Sequence, residues 1–272
     1  MAQTDNPLLA PSTLPYQLPP FADIRPEHYL PAFERAFDEH RNEVNAITFV
    51  RSMPTFENTM VALEASGKLL ETVAHTFYTV SSADATPAYQ QLDEEIAPLM
   101  SAHSDSIQLD SALYWRIKTL HEQLDELELD PEQRYLVQRH FREMTHAGAA
   151  LDEETKQRLK ELNLRLSTLT TTFEKNLLAD SNELALIVED VAELDGLTSG
   201  ELSAAAQAAT DRGHEGSYAL TLTLYTGHPY LSVLTNRTTR KKLMDASRSK
   251  SRRGGVNDNR EALPAIVRLR AA

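Results

Sequence analysis

The sequence predicts a mainly α protein: a multi-helix lobe with a small strand element near residues 184–188 and 218–225. Three observations carry that expectation. Apolar residues between positions 26 and 180 recur at spacings of three and four, the period of a helix face. Only two glycines, Gly67 and Gly148, precede Gly196, so the connections there should be short. Period-two alternation marks Tyr218, Leu220, Leu222 and Leu224 as one face of a strand, with Ala219, Thr221, Thr223 and Tyr225 on the other.

Taken in order, residues 1–25 read as an extended lead-in, because Pro7, Pro11, Pro15, Pro19 and Pro20 deny helix. Residues 26–180 form an N-terminal helical region. Pro26 opens its first helix, with an apolar stripe of Leu30, Phe33, Phe37, Val44 and Ile47 broken by a polar turn around His40. Thr55 caps a second helix whose core face is Leu63, Leu70, Val73, Phe77 and Val80. Thr86-Pro87 opens a third, which Pro98 should kink or divide. Asp110 caps a helix with Leu113, Ile117, Leu120 and Leu124. Asp130-Pro131-Glu132-Gln133 then combines an N-cap, a proline at the first helical position and a capping-box Gln, with Gly148 as the stop. The longest helix should run from near Asp152 to about Leu178. Its Leu159, Leu162, Leu166, Leu169 and Phe173 could pack against a neighbour like a coiled-coil arm.

Residues 181–272 are a mixed segment. Leu184 to Val188 reads as a short strand, Ser199 caps an alanine-rich helix ending near Gly213, and the 218–225 strand follows. Asp258 is a plausible N-cap for a last helix carrying Leu263, Ile266, Val267 and Leu269. No Gly, Asn or Pro follows to close that helix, so the chain is expected to continue past Ala272.

Composition narrows the chemistry. A chain of 272 residues, 41% of them hydrophobic, can bury a real core. It has no cysteine, which rules out disulfides, thiolate catalysis and cysteine-ligated metal within these residues. No run approaches a membrane span, and the first residues show neither a basic nor an apolar leader region; the reading is cytoplasmic, with no membrane partner. Net charge is −13, yet the stretch from Arg237 to Arg253 carries +7 and the tail beyond it +1, which leaves −21 on residues 1–236. That surplus would repel phosphate, so no nucleic-acid partner is expected. The basic stretch reads as a solvated helix face meeting acidic neighbours.

The search for catalytic motifs returns near-misses. His121-Glu122-Gln123-Leu124-Asp125 has only the first two letters of the zincin motif, in which two His one helical turn apart bind zinc and the Glu polarises water. His214-Glu215 lies in a loop. His140 and Glu143 are one turn apart, but His146 is six residues from His140 and points elsewhere. Gly67-Lys68 lacks the phosphate-loop pattern, with Ala62 for its first glycine and Leu69 for its Ser/Thr, and reads as a helix glycine. Gly213-His-Glu-Gly216 falls far short of a dinucleotide fingerprint. The acidic runs Glu94-Glu95 and Asp152-Glu153-Glu154 read as chance pairs and first-turn charges. The expected catalytic set is therefore none and the metal set none, with substrate-binding residues unassigned.

A resemblance supplies what local chemistry does not. Pro54-Thr-Phe-Glu-Asn-Thr-Met-Val-Ala-Leu-Glu-Ala-Ser-Gly67 resembles the N-terminal signature of the thimet-oligopeptidase-like family of zinc metallopeptidases. Four further segments agree in order: Ile24 to Phe33, Phe141 to Leu151, Leu166 to Leu178, and Thr239 to Leu243 with Asp258-Asn259 ahead of Leu269-Arg270. The opening Asn6 to Tyr16 is most similar to the bacterial peptidyl-dipeptidase branch. The resemblance implies the N-terminal part of a larger helical peptidase fold, divided by a deep channel that admits only short oligopeptides. The family's His-Glu-x-x-His helix and third Glu ligand have no counterpart here, so zinc is expected only in the full-length protein. The implied role is a substrate-restricting lobe, inactive alone, partnered by short oligopeptides and by the missing C-terminal half. The alternative is a free-standing helical binding or scaffold protein.

Overall fold

The computed structural model describes residues 6–223 and 226–272. It is mainly helical, with one two-stranded antiparallel sheet among the described residues. Two compact units divide between Thr168 and Leu169.

The first unit is helix packed on helix. Helix α1 (Pro26–Thr48) starts on its proline and runs without a break through His40. After it, Thr55 accepts from the Asn58 backbone N–H while the Asn58 side chain accepts from the Thr55 N–H, a reciprocal cap. The cap opens a single π-helical stretch, Phe56–Val61, continued by α2 (Ala62–Glu64). The expected second helix is thus divided. Gly67 takes φ +73°, and a new helix, α3 (Lys68–Ala83), begins beyond it. Gly67 is consequently a left-handed break, a conformation that costs an L side chain about 1 kcal/mol or more.

Helix α4 (Pro87–Gln108) differs from expectation the other way, since Pro98 lies inside one continuous helix. Helices α5 (Ser111–Glu122) and α6 (Pro131–Ala147) follow, capped by Asp110 and by the Asp130/Gln133 box, and Gly148 at φ +105° ends α6. Two buried clusters fill the unit. One joins Tyr29, Phe33 and Phe37 of α1 to Val73 and Phe77 of α3 and to Tyr89 and Ile96 of α4, with Leu8 and Ile24 of the lead-in. The other gathers Val44, Phe56, Met60, Leu113, Ile117, Leu120, Val137 and Met144. Arg116 is buried within the unit, its guanidinium donating to Thr59 Oγ1, to the Val50 and Ser52 carbonyls and to Asn58 Oδ1.

Helix α7 (Glu153–Glu183) is the longest and extends past the expected end. Its leucine row is only half-buried; the enclosed side chains near its ends are Lys156 and Asp180. In the second unit, β1 (Leu186–Val188) pairs with β2 (Tyr218–Leu220), Leu186 opposite Leu220. The expected 218–225 strand is shorter, and its Leu224 and Tyr225 lie outside the described residues. Helix α8 (Ser199–Thr210) packs on β2 and is capped by Thr198, not Ser199: Thr198 and Glu201 bond reciprocally as a capping box. Helices α9 (Gly227–Val233) and α10 (Arg237–Ser249) complete a small core around Val188, Leu220, Leu234 and Leu243.

The loop after α10 is tied to α7 by polar groups. Buried Asp180 accepts from the Ser251 backbone N–H and from Arg253, and Asn259 donates to the Phe173 carbonyl at 2.8 Å. Asp258 is no helix cap. Arg260 and the Gly254 N–H hold its carboxylate, far below the usual range, and α11 (Ala262–Ala271) starts after Glu261 with no side-chain cap. No helix among the described residues is long and apolar enough to cross a membrane.

Candidate functional site

The near-miss motifs do not converge. His121 lies flat on Phe141, ring centroids 4.0 Å apart, so its ring serves packing. Glu122 reaches Lys118, and Asp125, 98% exposed, pairs with Arg134. His214 and Glu215 are exposed in the turn after α8, between the positive-φ glycines Gly213 and Gly216. Asp152 accepts from the Thr155 N–H, and Glu153 accepts from Ser111 and Lys156, as helix-start residues do. Glu95 accepts from Gln91 one turn away. Of the basic stretch, Lys241, Lys242 and Arg253 meet the carboxylates of Asp245, Glu193 and Asp180. Among the described residues no group of three or more His, Cys, Asp or Glu is placed to hold a metal ion. The residues present do not fit the zinc that the family implies.

What the fold does assemble is a polar knot beside a cavity in the first unit. His40 on α1 meets His103 on α4, Nδ1 to Nε2 at 3.0 Å, and its Nε2 lies 3.3 Å from Ser66 Oγ. Glu43, one turn along α1, accepts from the Gly67 N–H at 2.7 Å. A Cβ on Gly67 would stand 3.0 Å from the His40 ring, so the left-handed glycine is also where the imidazole needs room.

The hydrogen-bond partners assign the protons. Ser66 Oγ donates to the Leu63 carbonyl at 2.6 Å, so it must accept from His40 Nε2–H. His40 Nδ1 is then an acceptor and receives the His103 Nε2–H. His103 Nδ1, buried with no partner, is left as a bare lone pair, which costs less than an orphaned N–H. Burial holds both rings neutral: it pushes His103 down to about 4, helped by His40 and Arg41, and lowers His40 against the opposing pull of Glu43. With its proton on a carbonyl, Ser66 is not primed as a nucleophile. The knot fixes structure and carries no reaction by itself.

The cavity beside it has a volume of about 330 Å³. Its apolar walls are Leu63, Ile107, Leu113 and Met144, and its polar lining includes His40, Ser66, Gln108, Glu64, His140 and Glu143. His140 Nε2 donates to Glu64 Oε1 at 2.7 Å, and Arg139 donates to Glu143 Oε1 at 2.9 Å. His140 and Glu143 are one turn apart in the sequence, and Glu64 joins them from another helix. His146 is exposed and does not line the cavity. No local pattern pairs His40 with His103; the one hint in the sequence is a histidine set within an apolar stripe three residues after Phe37.

No protein-family model matches the chain. Among curated proteins it is 35% identical to the dipeptidyl carboxypeptidase of Escherichia coli (strain K12) over 268 residues, 98% of this chain and 39% of that protein. It is 38% identical to the dipeptidyl carboxypeptidase of Salmonella typhimurium over 265 residues, again 39% of the relative. Oligopeptidase A of Escherichia coli is 29% identical over 273 residues, 97% of this chain and 39% of that protein. The chain thus spans about two-fifths of the length of the relatives it matches. Within that span it is similar to the N-terminal part of the dipeptidyl carboxypeptidases and oligopeptidases A, which are of the thimet-oligopeptidase family.

Proposed function

We propose that these residues are the substrate-restricting N-terminal lobe of a cytoplasmic peptidase that releases C-terminal dipeptides from short oligopeptides. Zinc and its ligands belong, in this reading, to residues outside this sequence. The observation that carries the proposal is the asymmetry of the match: it takes in 98% of this chain but 39% of the dipeptidyl carboxypeptidase, while the near-miss motifs here scatter over separate surfaces. A lobe of this kind acts by shape. It presents packed helices that an extended peptide can pass and a folded protein cannot, and its negative charge biases which peptides approach.

The test is a chimera in which this chain replaces the matching stretch of the Escherichia coli dipeptidyl carboxypeptidase. The chimera is expected to release a dipeptide from a blocked tripeptide with a free carboxylate and to spare the C-terminus of a folded protein. The chain alone, supplied with zinc, is expected to give no turnover. A folded but inactive chimera, equal cleavage of both substrates, or turnover by the chain alone with stoichiometric zinc lost on His121→Ala, would each overturn the proposal.

A further inference from the structure

We infer that the cavity between α2, α4, α5 and α6 is a binding site for a primary ammonium group carried on a short alkyl chain. Its volume of about 330 Å³ falls within the range of small-molecule pockets. Its floor is firmly built: Leu113 is 1% and Met144 5% exposed, and Leu63 and Ile107 pack against the same core. That floor offers an alkyl chain apolar contact.

The rim sets the charge of the ligand. Glu64 and Glu143 line the cavity, from α2 and α6. Each carboxylate uses one oxygen within the protein, Glu64 toward His140 and Glu143 toward Arg139, and the other oxygen of each has no partner among the described residues. The lining thus holds two carboxylates and no Lys or Arg, while Arg139 and Arg142 act on Glu143 from outside it. His40, at the cavity wall, adds no positive charge because burial lowers its pKa. The −21 on residues 1–236 draws cations toward this part of the chain and disfavours anions. The site therefore combines an apolar slot with two free acceptor oxygens, which suits an alkylammonium better than an alcohol, an alkane or a carboxylate. A lysine side chain on a peptide and a free diamine share this chemistry.

The experiment follows the Met144 methyl resonance of the full 272-residue chain at neutral pH as pentylammonium is added, with pentanol as the neutral control of equal length. Pentylammonium is expected to give a saturable shift at millimolar concentration and to bind about tenfold more tightly than pentanol. The Glu64→Gln/Glu143→Gln variant, checked for an unchanged circular-dichroism spectrum, is expected to lose that preference, whereas Glu126→Gln, away from the cavity, keeps it. Nα-acetyl-lysine methylamide and cadaverine then separate the sources. Saturation by either upholds the site and the tighter names its source. Equal affinity for pentanol, a preference that survives in the double variant, or no saturation by any amine overturns the inference.

Discussion

Up to Thr168 one of two apolar clusters is built on rings set edge to face, Phe77 against Tyr29 at 5.2 Å and against Phe33 at 5.8 Å, whereas beyond it a loop is fastened by hydrogen bonds to buried Asp180 and from buried Asn259. Apolar burial is non-directional and grows with area, so the first unit draws its stability from many interchangeable contacts. Hydrogen bonds to a buried carboxylate are few and directional, so residues 250–261 depend on single groups. The difference separates what breaks a core from what frees a segment.

The largest effect should come from Phe77→Ala, which empties the centre of the ring cluster. It is expected to destabilise the first unit by about 4 kcal/mol, read by urea unfolding through Trp115, the single tryptophan. A loss under about 1 kcal/mol would show that the cluster collapses around the gap.

Acid should act on the His40–His103 pair within that unit. His103 titrates at about 4 when folded against an ordinary 6.5, so the unfolded chain binds more protons between those values. Stability is then fully present above 6.5 and is lost as pH falls toward 4, by at most about 3 kcal/mol. His40 adds to the loss in the same direction; Asp105, whose carboxyl burial pushes up, opposes it at the acid end. The check is the pH dependence of the same unfolding midpoint, which should flatten in His103→Leu. An unchanged slope would place the acid sensitivity elsewhere.

Asp180→Ala should cost about 2 kcal/mol and should do so locally: amide exchange is expected to accelerate across residues 250–261 while α3 keeps its protection. Uniform acceleration would mean that the tie supports more than the loop. The smallest effect belongs to Thr198→Ala, about 1 kcal/mol from the lost cap of α8, seen as faster exchange at Leu202. Ser199→Ala should be silent, which separates the true cap from its neighbour.

The legible parts of the fold were those with local causes. The Asp130/Gln133 box, the Gly148 stop and the Asp110 cap each involve atoms within one turn, so the residues sufficed to place them. The cap at Thr198 was displaced by one residue because adjacent Thr and Ser both suit the position, and only Thr198 stands three residues before Glu201. Pro98 misled, because the surrounding helix tolerates a missing hydrogen bond that the sequence alone counts as a break. Asp258 misled for the opposite reason: Arg260 and the Gly254 N–H claim its carboxylate before any helix can.

The helical class, most helix starts and stops and, through five ordered segments, the family resemblance could be read from the residues alone, because caps, periodicity and motif order are written in neighbouring residues. That His40 meets His103 across 63 positions, that Gly67 turns left-handed beneath that ring, and that Glu64 joins His140 across 76 to rim a cavity follows from the packing of the folded chain. Those pairings depend on how helices cross. Side chains far apart in sequence share a pocket only after apolar burial has fixed the crossings, and no local pattern records the result.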